Sequence, residues 1–430
     1  MNVLFDTSIL GAAYRSHRAR TGIFRATEHL LLALAESGQC VLRLCATRHQ
    51  ADSLEYWQSQ PGLARLVPFP NRGPSSGRIR RQVPLKRQLA RFYYAHQDNP
   101  WIRLPFRFGA ALPMYADQMI DRWLDRRVWR DNLRFADIYH APHFEWLPDL
   151  GRARRFVTLH DLIPIKFPQL FSGREAAKLR NLLDRLRPDD WILCSSEATR
   201  QDLLTYFDGR GPAPRSRVVP LAADSGTFHP VRDPALLEKI RLEYGLDQRP
   251  YILALGTLEP RKNLSTLIRA FSTLCDDTGA DAQLVIVGPK GWHLAPFMEE
   301  IQRVRRLGDR IVLTGFAPDE DLAALYSGAA VFAFPSLYEG FGLPVLEAMQ
   351  CGTPVITSRG SSLPDLVGDA GLLIDPTDPD ELAQALADVL LNAPLRAQLS
   401  ERCIQRSAAF SWARSAEATL TAYRESLPRR

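Results

Sequence analysis

The amino-acid sequence predicts an α/β protein made of two doubly wound parallel-sheet domains. Three observations support this fold class. The chain has 430 residues, which is more than one hydrophobic core usually serves. Short β-rich runs alternate with helical patterns along much of the chain, and this rhythm is typical of parallel βαβ units. The composition, with 46% hydrophobic and 24% charged residues, is globular and excludes general disorder.

The second half of the chain has the clearer alternation. We predict strands at YILALG, LVIVGP, IVLTGF, VFAFPS, PVITS and GLLID, which begin at residues 251, 284, 311, 331, 354 and 371. Their near-continuous apolar character indicates a sheet covered on both faces. Helices are predicted at 263–275, 319–328 and 378–392, and the last begins with acidic residues, as helix N-termini prefer.

The first half repeats this style less regularly, with strands expected at 2–5, 41–45, 137–140, 155–159 and 191–196. A hinge is predicted within 220–250, where PLAADSGTFHPVRDP mixes Pro, Gly, Asp and Ser between the two patterns. We therefore predict an N-terminal Rossmann-like domain at 1–225 and a C-terminal one at 226–411. A last helix at about 412–428 is expected to pack back on the first domain.

Charge and cysteine content limit the classes of function. A net charge of +6 fits an anionic ligand or membrane surface better than a dedicated nucleic-acid binder, so no nucleic-acid partner is expected. The six cysteines have no metal-ligand spacing and are expected to be reduced. No run of 18 uncharged apolar residues occurs, and MNVLFDTSILG lacks the basic start of a signal peptide. A cytoplasmic protein is expected, with peripheral contact at the inner face of the cytoplasmic membrane left open.

Residues 72–134 interrupt the alternation with a basic, aromatic stretch that includes GRIRRQVPLKRQLARFYYAH. It contains fourteen Lys or Arg and five Asp. Two interpretations stay open: solvated helical faces with apolar stripes, or a surface for an anionic membrane or an acceptor.

The loop LALGTLEPRKN follows a predicted strand and presents Arg261 and Lys262 just before a helix. Ligands of open parallel sheets bind beyond the carboxyl ends of the strands. Two adjacent cations near a helix N-terminus suit a diphosphate, since a close charge pair is worth about 4 kcal/mol at an effective dielectric constant of about 20. The alternative is two solvated cations on a loop.

The segment FPSLYEGFGLPVLEAMQCGTPVI, residues 334–356, predicts a strand end, a glycine-bearing loop and a helix. Gly340 and Gly342 would let backbone N–H groups approach a ligand at the helix N-terminus. Glu339 lies on the loop and Glu347 on the helix. Carboxylates do not hold phosphates but accept hydrogen bonds from hydroxyls, so one is expected to contact a sugar and the other a ribose.

These motifs together resemble the retaining nucleotide-sugar glycosyltransferases of family 4, which have the GT-B fold. The similarity extends through VGPKGW, VLTGFAPDEDLAALY and SSLPDLVGDAGLLIDPTDPDELA in the second half, and through TGIFRATEHLLLAL, DIYHAPHF, TLHDLIP and CSSEATRQDL in the first. Within the family, the chain most resembles the mannosyl- and rhamnosyltransferase-like branch that builds bacterial surface polysaccharides. The resemblance implies two Rossmann-like domains that face each other across a cleft containing the donor.

The resemblance also implies roles for individual residues. Glu339 should bind hydroxyls of the transferred sugar, and Arg261 and Lys262 should stabilise the diphosphate leaving group. His160 matches the active-site histidine of the family, although a lone strand-end histidine is more often structural, and Glu347 should hold the ribose. The other expected donor contacts are Gly22, Gly256, Gly315, Phe316, Gly340, Phe341, Gly342 and Leu343, and His140 and His143 are candidates for the acceptor side.

We therefore expect a hexose, with mannose from GDP-mannose as the first candidate, to be transferred with retention to a glycan or lipid-linked glycan. No metal or cofactor is expected beside the donor. Two alternatives are a nucleotide-sugar epimerase on the same fold, which needs no acceptor, and a noncatalytic scaffold, which would be free to lose the cations or carboxylates kept here. NAD and ATP sites are disfavoured because G-x-G-x-x-G after a strand and a P-loop are both missing. The linker LAADSGTF departs from the family's Gly-Val-Asp turn, with Ala222 at the usual glycine, but Asp224 should preserve the turn.

Overall fold

The computed structural model describes residues 1–15, 22–47, 50–60, 133–143, 149–171 and 173–428. Within these ranges the chain forms two six-stranded parallel sheets with intervening helices. The predicted α/β class with two doubly wound domains is therefore confirmed. The predicted limits of the domains, 1–225 and 226–411, stay a prediction.

The first sheet has strands in the order β2-β1-β3-β4-β5-β6. These strands are β1 (Asn2–Asp6), β2 (Val41–Cys45), β3 (Ile138–Ala141), β4 (Arg154–Leu159), β5 (Trp191–Cys194) and β6 (Arg215–Val218). The described helices of this half are α1 (Ser8–Arg15), α2 (Gly22–Glu36), α3 (Gln50–Ser59), α4 (Ile163–Lys166), α5 (Gly173–Leu183) and α6 (Glu197–Phe207).

The second sheet has strands in the order β12-β11-β10-β7-β8-β9. These strands are β7 (Tyr251–Leu255), β8 (Gln283–Val287), β9 (Ile311–Gly315), β10 (Val331–Phe334), β11 (Val355–Ser358) and β12 (Leu372–Ile374). The helices are α7 (Pro234–Glu243), α8 (Leu264–Thr278), α9 (Ala295–Arg303), α10 (Asp319–Gly328), α11 (Leu343–Gln350), α12 (Leu363–Val367), α13 (Pro379–Leu391) and α14 (Ala393–Ser407).

Successive residues of the second sheet point into two different hydrophobic clusters. Ile252 and Leu284 pack in one cluster, whereas Leu253 and Val285 pack in the other. Side chains of a strand alternate between its two faces, so both faces of this sheet are buried. The continuous apolar runs in the sequence reflect this double burial.

The order of the second sheet reverses between β7 and β10. These two strands are adjacent and parallel, with Val331 paired to Ile252 and Phe332 to Leu253. The loops that follow them therefore leave the sheet side by side, at the position where open α/β sheets bind ligands.

The linker forms the turn expected at Asp224. The carboxylate accepts hydrogen bonds from the Gly226 amide at 3.2 Å and from the Thr227 hydroxyl at 2.6 Å. The chain then enters α7, which packs on α10 of the second domain.

The last helix, α15 (Trp412–Ser426), packs against α2 of the first domain. Its Leu420 and Tyr423 are fully buried in the same hydrophobic cluster as Phe5 and Leu31. The chain therefore returns to the first domain at its end.

Nearly all of the basic stretch 72–134 lies outside the described residues, so its two interpretations stay open. In the ranges that the structure does describe, no helix combines the length and apolar character that crossing a bilayer requires. The six cysteines are free thiols, as expected.

Candidate active site

Two loops that sequence analysis singled out meet at the reversal point of the second sheet. The loop after β7 ends in a short 3-10 helix, Pro260–Lys262, and α8 follows it. The loop after β10 contains Glu339 and leads into α11. A backbone hydrogen bond of 2.9 Å from the Leu337 amide to the Arg261 carbonyl joins the two loops.

Glu339 lies between the two predicted cations. Its Oε2 is 2.6 Å from Arg261 Nη1, and its Oε1 is 2.7 Å from Lys262 Nζ. Arg261 also pairs with Glu259 at 2.5 Å. All four side chains are largely buried. Dissolved salt therefore weakens these ion pairs much less than it weakens exposed ones.

The charges of this cluster are strongly coupled. Burial acts to raise the pKa of Glu339, but Arg261 and Lys262 outweigh it and hold this pKa at about 2. Burial lowers the pKa of Lys262, and Glu339 opposes that shift. The Arg261 pKa is raised because Glu339 and Glu259 outweigh its burial. Glu339 is therefore an anion that can only accept hydrogen bonds.

The glycines of the second loop permit close approach. Gly342 has φ 106°, a left-handed conformation, and directly precedes α11. A Cβ at Gly340 would lie 2.2 Å from the carbonyl oxygen of His160 in the first domain. The sequence indicated ligand approach at Gly340, whereas the structure shows that the neighbouring domain also requires a glycine there.

The other residues predicted to contact the donor lie in different parts of the two domains. Gly22 begins α2, and a Cβ there would lie 3.2 Å from Leu343 Cδ1 at the start of α11. Gly256 has φ 147° and leaves room for the Lys262 side chain, because its Cβ would lie 3.2 Å from Lys262 Cε. The remaining three lie further along the second domain: Gly315, at the end of β9, has φ 75°, Phe316 is 64% exposed, and Phe341 is buried against Phe410.

Glu347 lies on α11 and is 2% exposed. Its Oε2 accepts a hydrogen bond of 3.0 Å from the Tyr326 hydroxyl, and its Oε1 is 3.2 Å from Arg25 Nη1. Burial raises the pKa of Glu347, although Arg25 and Tyr326 act in the opposite direction. Because Arg25 belongs to α2, this ion pair joins the two domains.

Sequence reasoning missed Arg25. Burial acts to lower its pKa, but the carboxylates of Glu347 and Asp319 raise it on balance. The sequence could have indicated it, because Arg25 follows Gly22 by three residues in TGIFRATEHLLLAL and therefore lies on the same face of the helix as this predicted donor contact.

His160 directly follows β4 and has a defined protonation state. Its Nε2 is 3.1 Å from the Pro142 carbonyl oxygen, which can only accept, so Nε2 carries the proton. Burial lowers the pKa of His160 to about 4, so the ring is neutral at pH 7. Its Nδ1 is buried without a hydrogen-bond partner among the described residues and is available as an acceptor.

The two other histidines differ in position. His140 is fully buried, with Nδ1 2.6 Å from the Tyr423 hydroxyl and Nε2 2.8 Å from the Thr158 hydroxyl. Both ring nitrogens are thus used inside the first domain, and the expected place of His140 on the acceptor side stays a prediction. The ring of His143 lies 6.4 Å from that of His160, and burial lowers the His143 pKa to about 3. Its acceptor role stays a prediction.

Among the residues described, no group of three or more His, Cys, Asp or Glu side chains is arranged to hold a metal ion. Metal independence of the reaction stays a prediction.

Comparisons with known proteins agree with this geometry. Residues 238–406 match the family described as glycosyl transferases group 1. The chain is 35% identical over 288 residues to O-antigen chain mannosyltransferase B of Escherichia coli, which covers 67% of this chain and 74% of that protein. It is 32% identical over 294 residues to D-inositol 3-phosphate glycosyltransferase of Corynebacterium jeikeium, covering 66% and 69%. The serotype-specific mannosyltransferase WbdA of Escherichia coli is 30% identical over 275 residues, but the match spans only 32% of its length.

Solved structures show the same architecture as the described residues. Sucrose-phosphate synthase from Thermosynechococcus elongatus has a TM-score of 0.62 at 20% identity and covers 99% of this chain and 98% of its own. HepE of Anabaena, solved in complex with UDP, has a TM-score of 0.63 at 18% identity and covers 99% of each chain. At these identities the likeness shows the fold, which is GT-B. The 35% identity to O-antigen chain mannosyltransferase B, over 74% of that protein, shows more. The chain belongs to the group 1 glycosyltransferases, and it is an enzyme of glycosyl transfer.

Proposed function

We propose that this glycosyltransferase moves mannose from GDP-mannose to a glycan or lipid-linked glycan, with retention of anomeric configuration. The observation that carries the proposal is the position of Glu339 between Arg261 and Lys262, beside the N-terminus of α11. This arrangement provides cations for a diphosphate and an acceptor for sugar hydroxyls in one place.

Donor binding would exchange one set of ion pairs for another. In the free protein Glu339 compensates the charges of Arg261 and Lys262. A bound diphosphate would compensate them instead and leave the carboxylate free to accept hydrogen bonds from the sugar. This exchange keeps the buried cations paired throughout, which avoids the cost of an uncompensated buried charge.

Two features support a nucleoside diphosphate sugar as the donor, without distinguishing its base. Glu347 offers a buried carboxylate for the ribose hydroxyls, next to Tyr326 and Arg25. HepE, which shares the fold, was solved with UDP and with UDP-glucose. The names of the Escherichia coli relatives, which are mannosyltransferases, support mannose as the transferred sugar.

Glu339 is assigned to binding and not to nucleophilic attack. Its negative charge is held by two cations at less than 3 Å, and its pKa of about 2 makes it a weak nucleophile. Retention then follows from attack on the same face that the phosphate leaves. The bond from C1 to the phosphate oxygen breaks, the bond from C1 to the acceptor oxygen forms, and the acceptor proton passes to the leaving phosphate.

His160 would contact the sugar through its Nδ1. This atom can accept a hydrogen bond and lacks a partner in the described part of the protein. The His160 carbonyl faces Gly340, next to Glu339, which places the histidine backbone beside the sugar-binding loop. We therefore expect His160 and Glu339 to bind different hydroxyls of one sugar.

A screen of GDP-, UDP-, dTDP- and ADP-sugars tests the proposal, with Glu339→Gln as the inactive variant. Glu299→Gln is the matched control, because Glu299 is an exposed residue of α9. We expect acceptor-dependent consumption of GDP-mannose and an α-linked product, measured by chromatography and NMR.

Three results would contradict it. Interconversion of sugars with the donor alone would indicate the epimerase alternative. Binding without turnover of any donor would indicate the scaffold, and an inverted linkage would disprove retention. Neither alternative is supported by the relatives described above, which are named as transferases.

A further inference from the structure

Tyr338 immediately precedes Glu339, and its side chain reaches the first domain. The Tyr338 hydroxyl donates a hydrogen bond of 2.5 Å to Asp202 Oδ2. Lys166 Nζ donates to the same hydroxyl at 3.0 Å and to Asp202 Oδ1 at 2.6 Å. Lys166 ends α4 and Asp202 lies in α6. These three side chains, which we call the interdomain triangle, connect the two domains.

The surroundings of the interdomain triangle fix the tyrosine ring. The Phe167 ring lies 5.4 Å from it, and the Lys166 ammonium lies 4.3 Å from its centre. Burial raises the pKa of Tyr338, and the hydrogen bond to Asp202 acts in the same direction. The phenol therefore keeps its proton and donates to Asp202. Lys166 and Asp202 both belong to the first domain, so the contact of the interdomain triangle with the second domain depends on the Tyr338 side chain.

The backbone of Tyr338 contacts the predicted donor site. Its carbonyl oxygen accepts a hydrogen bond of 3.0 Å from Arg261 Nη1. The next residue, Glu339, pairs with the same guanidinium at 2.6 Å. A shift of Tyr338 would therefore move the Glu339 carboxylate relative to Arg261, which is also held by Glu259.

The first domain holds this loop on the other side of Glu339 as well. The Gly340 carbonyl accepts hydrogen bonds from the hydroxyls of Ser195 at 3.0 Å and Thr199 at 3.3 Å. Thr199 and Asp202 both lie in α6. One helix of the first domain thus fixes the residues before and after Glu339.

We infer that Tyr338 is a positioning residue for glycosyl transfer, which acts through Glu339. The interdomain triangle forms only when the two domains have this relative orientation. It therefore aligns Glu339 for the reacting sugar when the cleft is closed, and when the cleft is open the loop keeps only the contacts of its own domain. The inference rests on the proposed role of Glu339 in sugar binding.

Tyr338→Phe tests the inference, because it removes the hydroxyl and keeps the ring. We expect kcat at saturating GDP-mannose to fall at least tenfold, with calorimetric affinity for GDP within threefold of the wild type. Asp202→Asn should likewise lower kcat and keep the affinity for GDP. The double variant, Tyr338→Phe with Asp202→Asn, should be no slower than the slower single variant. Tyr206→Phe is the matched control, since its hydroxyl bonds Asp184 within the first domain at 2.7 Å.

The outcomes separate this inference from the proposed function. If Glu339→Gln abolishes turnover while Tyr338→Phe stays within twofold of the wild-type kcat, the positioning role is wrong. The same conclusion follows if Tyr338→Phe loses GDP affinity at unchanged kcat. If Glu339→Gln itself retains turnover, the proposed sugar contact is wrong instead. Should Tyr338→Phe lose its cooperative melting transition, Asp202→Asn decides by the same criteria.

Discussion

Replacing Glu339 with Gln removes the negative charge that compensates Arg261 and Lys262. In the free protein the carboxylate is within 2.7 Å of both cations and is only 8% exposed. Arg261 would keep its pair with Glu259, but the Lys262 ammonium would lose its hydrogen bond and ion pair with the carboxylate. The variant therefore contains a buried cation that has lost its directly paired carboxylate, which is costly.

The pKa of Glu339 gives the size of the effect. It is about 2 in the folded protein, against an ordinary value of 4.5. At 1.36 kcal/mol per pH unit, this difference corresponds to about 3 kcal/mol of folding free energy. Because the folded pKa is the lower one, this stabilisation is fully present above about pH 4.5 and is lost as the pH falls towards 2. Glu339→Gln should be less stable than the wild type by about 3 kcal/mol at pH 7, with the difference shrinking below pH 4.5.

A nucleoside diphosphate should restore much of this stability. Its phosphates would supply the charge that the variant lacks, so the affinity of Glu339→Gln for GDP should equal or exceed that of the wild type. Stabilisation by a ligand grows with its affinity, so the increase in melting temperature with GDP should be at least as large in the variant. Turnover should nevertheless collapse, because the lost hydrogen bonds are to the sugar, whose charge and shape change in the transition state.

The assays are thermal melting with and without GDP at pH 7 and pH 4, calorimetric titration with GDP, and initial rates at saturating donor. Glu299→Gln serves as the control for loss of a surface carboxylate. Weaker GDP binding by Glu339→Gln, or unchanged melting at pH 7, would refute the reasoning. In that case the carboxylate would not be the group that compensates the two cations.

Four further predictions concern other parts of the protein. Glu347→Gln should weaken GDP binding by roughly 1.5–3 kcal/mol with little change in kcat, since the ribose does not change in the reaction. Calorimetry and initial rates measure the two effects. If this variant keeps its GDP affinity and loses turnover, the roles assigned to Glu339 and Glu347 are reversed. Turnover should persist in EDTA because the cationic pair can carry the phosphate charge, and a full loss restored by magnesium or manganese would contradict this. Residues 72–134 should attach the protein to anionic liposomes at low salt, since each basic residue near the membrane surface adds about 1 kcal/mol. If the protein stays in the supernatant after sedimentation, membrane attachment is wrong, and the stretch is an ordinary helical surface or part of the acceptor site. Tyr423→Phe should cost about 1–3 kcal/mol of stability in denaturant unfolding, because it leaves the buried Nδ1 of His140 without its hydrogen-bond partner, and should not change kcat. Lost turnover at full stability would instead support a role of His140 in the acceptor site.

Most of the strands could be predicted because they are buried on both faces. The predicted run at 251–256 corresponds to Tyr251–Leu255, and that at 41–45 to Val41–Cys45. The exception is Arg215–Val218, which has the sequence RSRV and was not predicted. It lies at the edge of the first sheet and is half-buried or exposed throughout. An edge strand can be polar, so it lacks the apolar pattern that identified the others.

The cationic loop and the glycine-bearing loop could be predicted to lie close together, because parallel strands place their carboxyl ends at one edge of a sheet. The first-domain side chains that contact this site could not be predicted. Arg25 contacts Glu347 from a helix more than three hundred residues earlier in the chain, and Asp202 contacts Tyr338 from 136 residues away. No local spacing indicates which side chains face each other across a cleft. The contact between His140 and Tyr423 could not be predicted for the same reason, because the two residues are 283 positions apart.

The two glutamates differ in which domain neutralises them, and this difference has a consequence for donor binding. Glu339 is paired with cations of its own domain, so its exchange with a diphosphate requires no movement between domains. Glu347 is paired with Arg25 of the opposite domain, while its second oxygen is held by Tyr326 of its own. A ribose hydroxyl that donates to Glu347 would therefore compete with the interdomain ion pair and not with the contact inside the domain. In the proposed donor complex, Arg25 would be released at the moment when the diphosphate compensates Arg261 and Lys262. The interdomain triangle of Lys166, Asp202 and Tyr338 uses none of these side chains, and neither do the hydrogen bonds from Ser195 and Thr199 to Gly340. These contacts can therefore hold the cleft closed while the sugar is transferred.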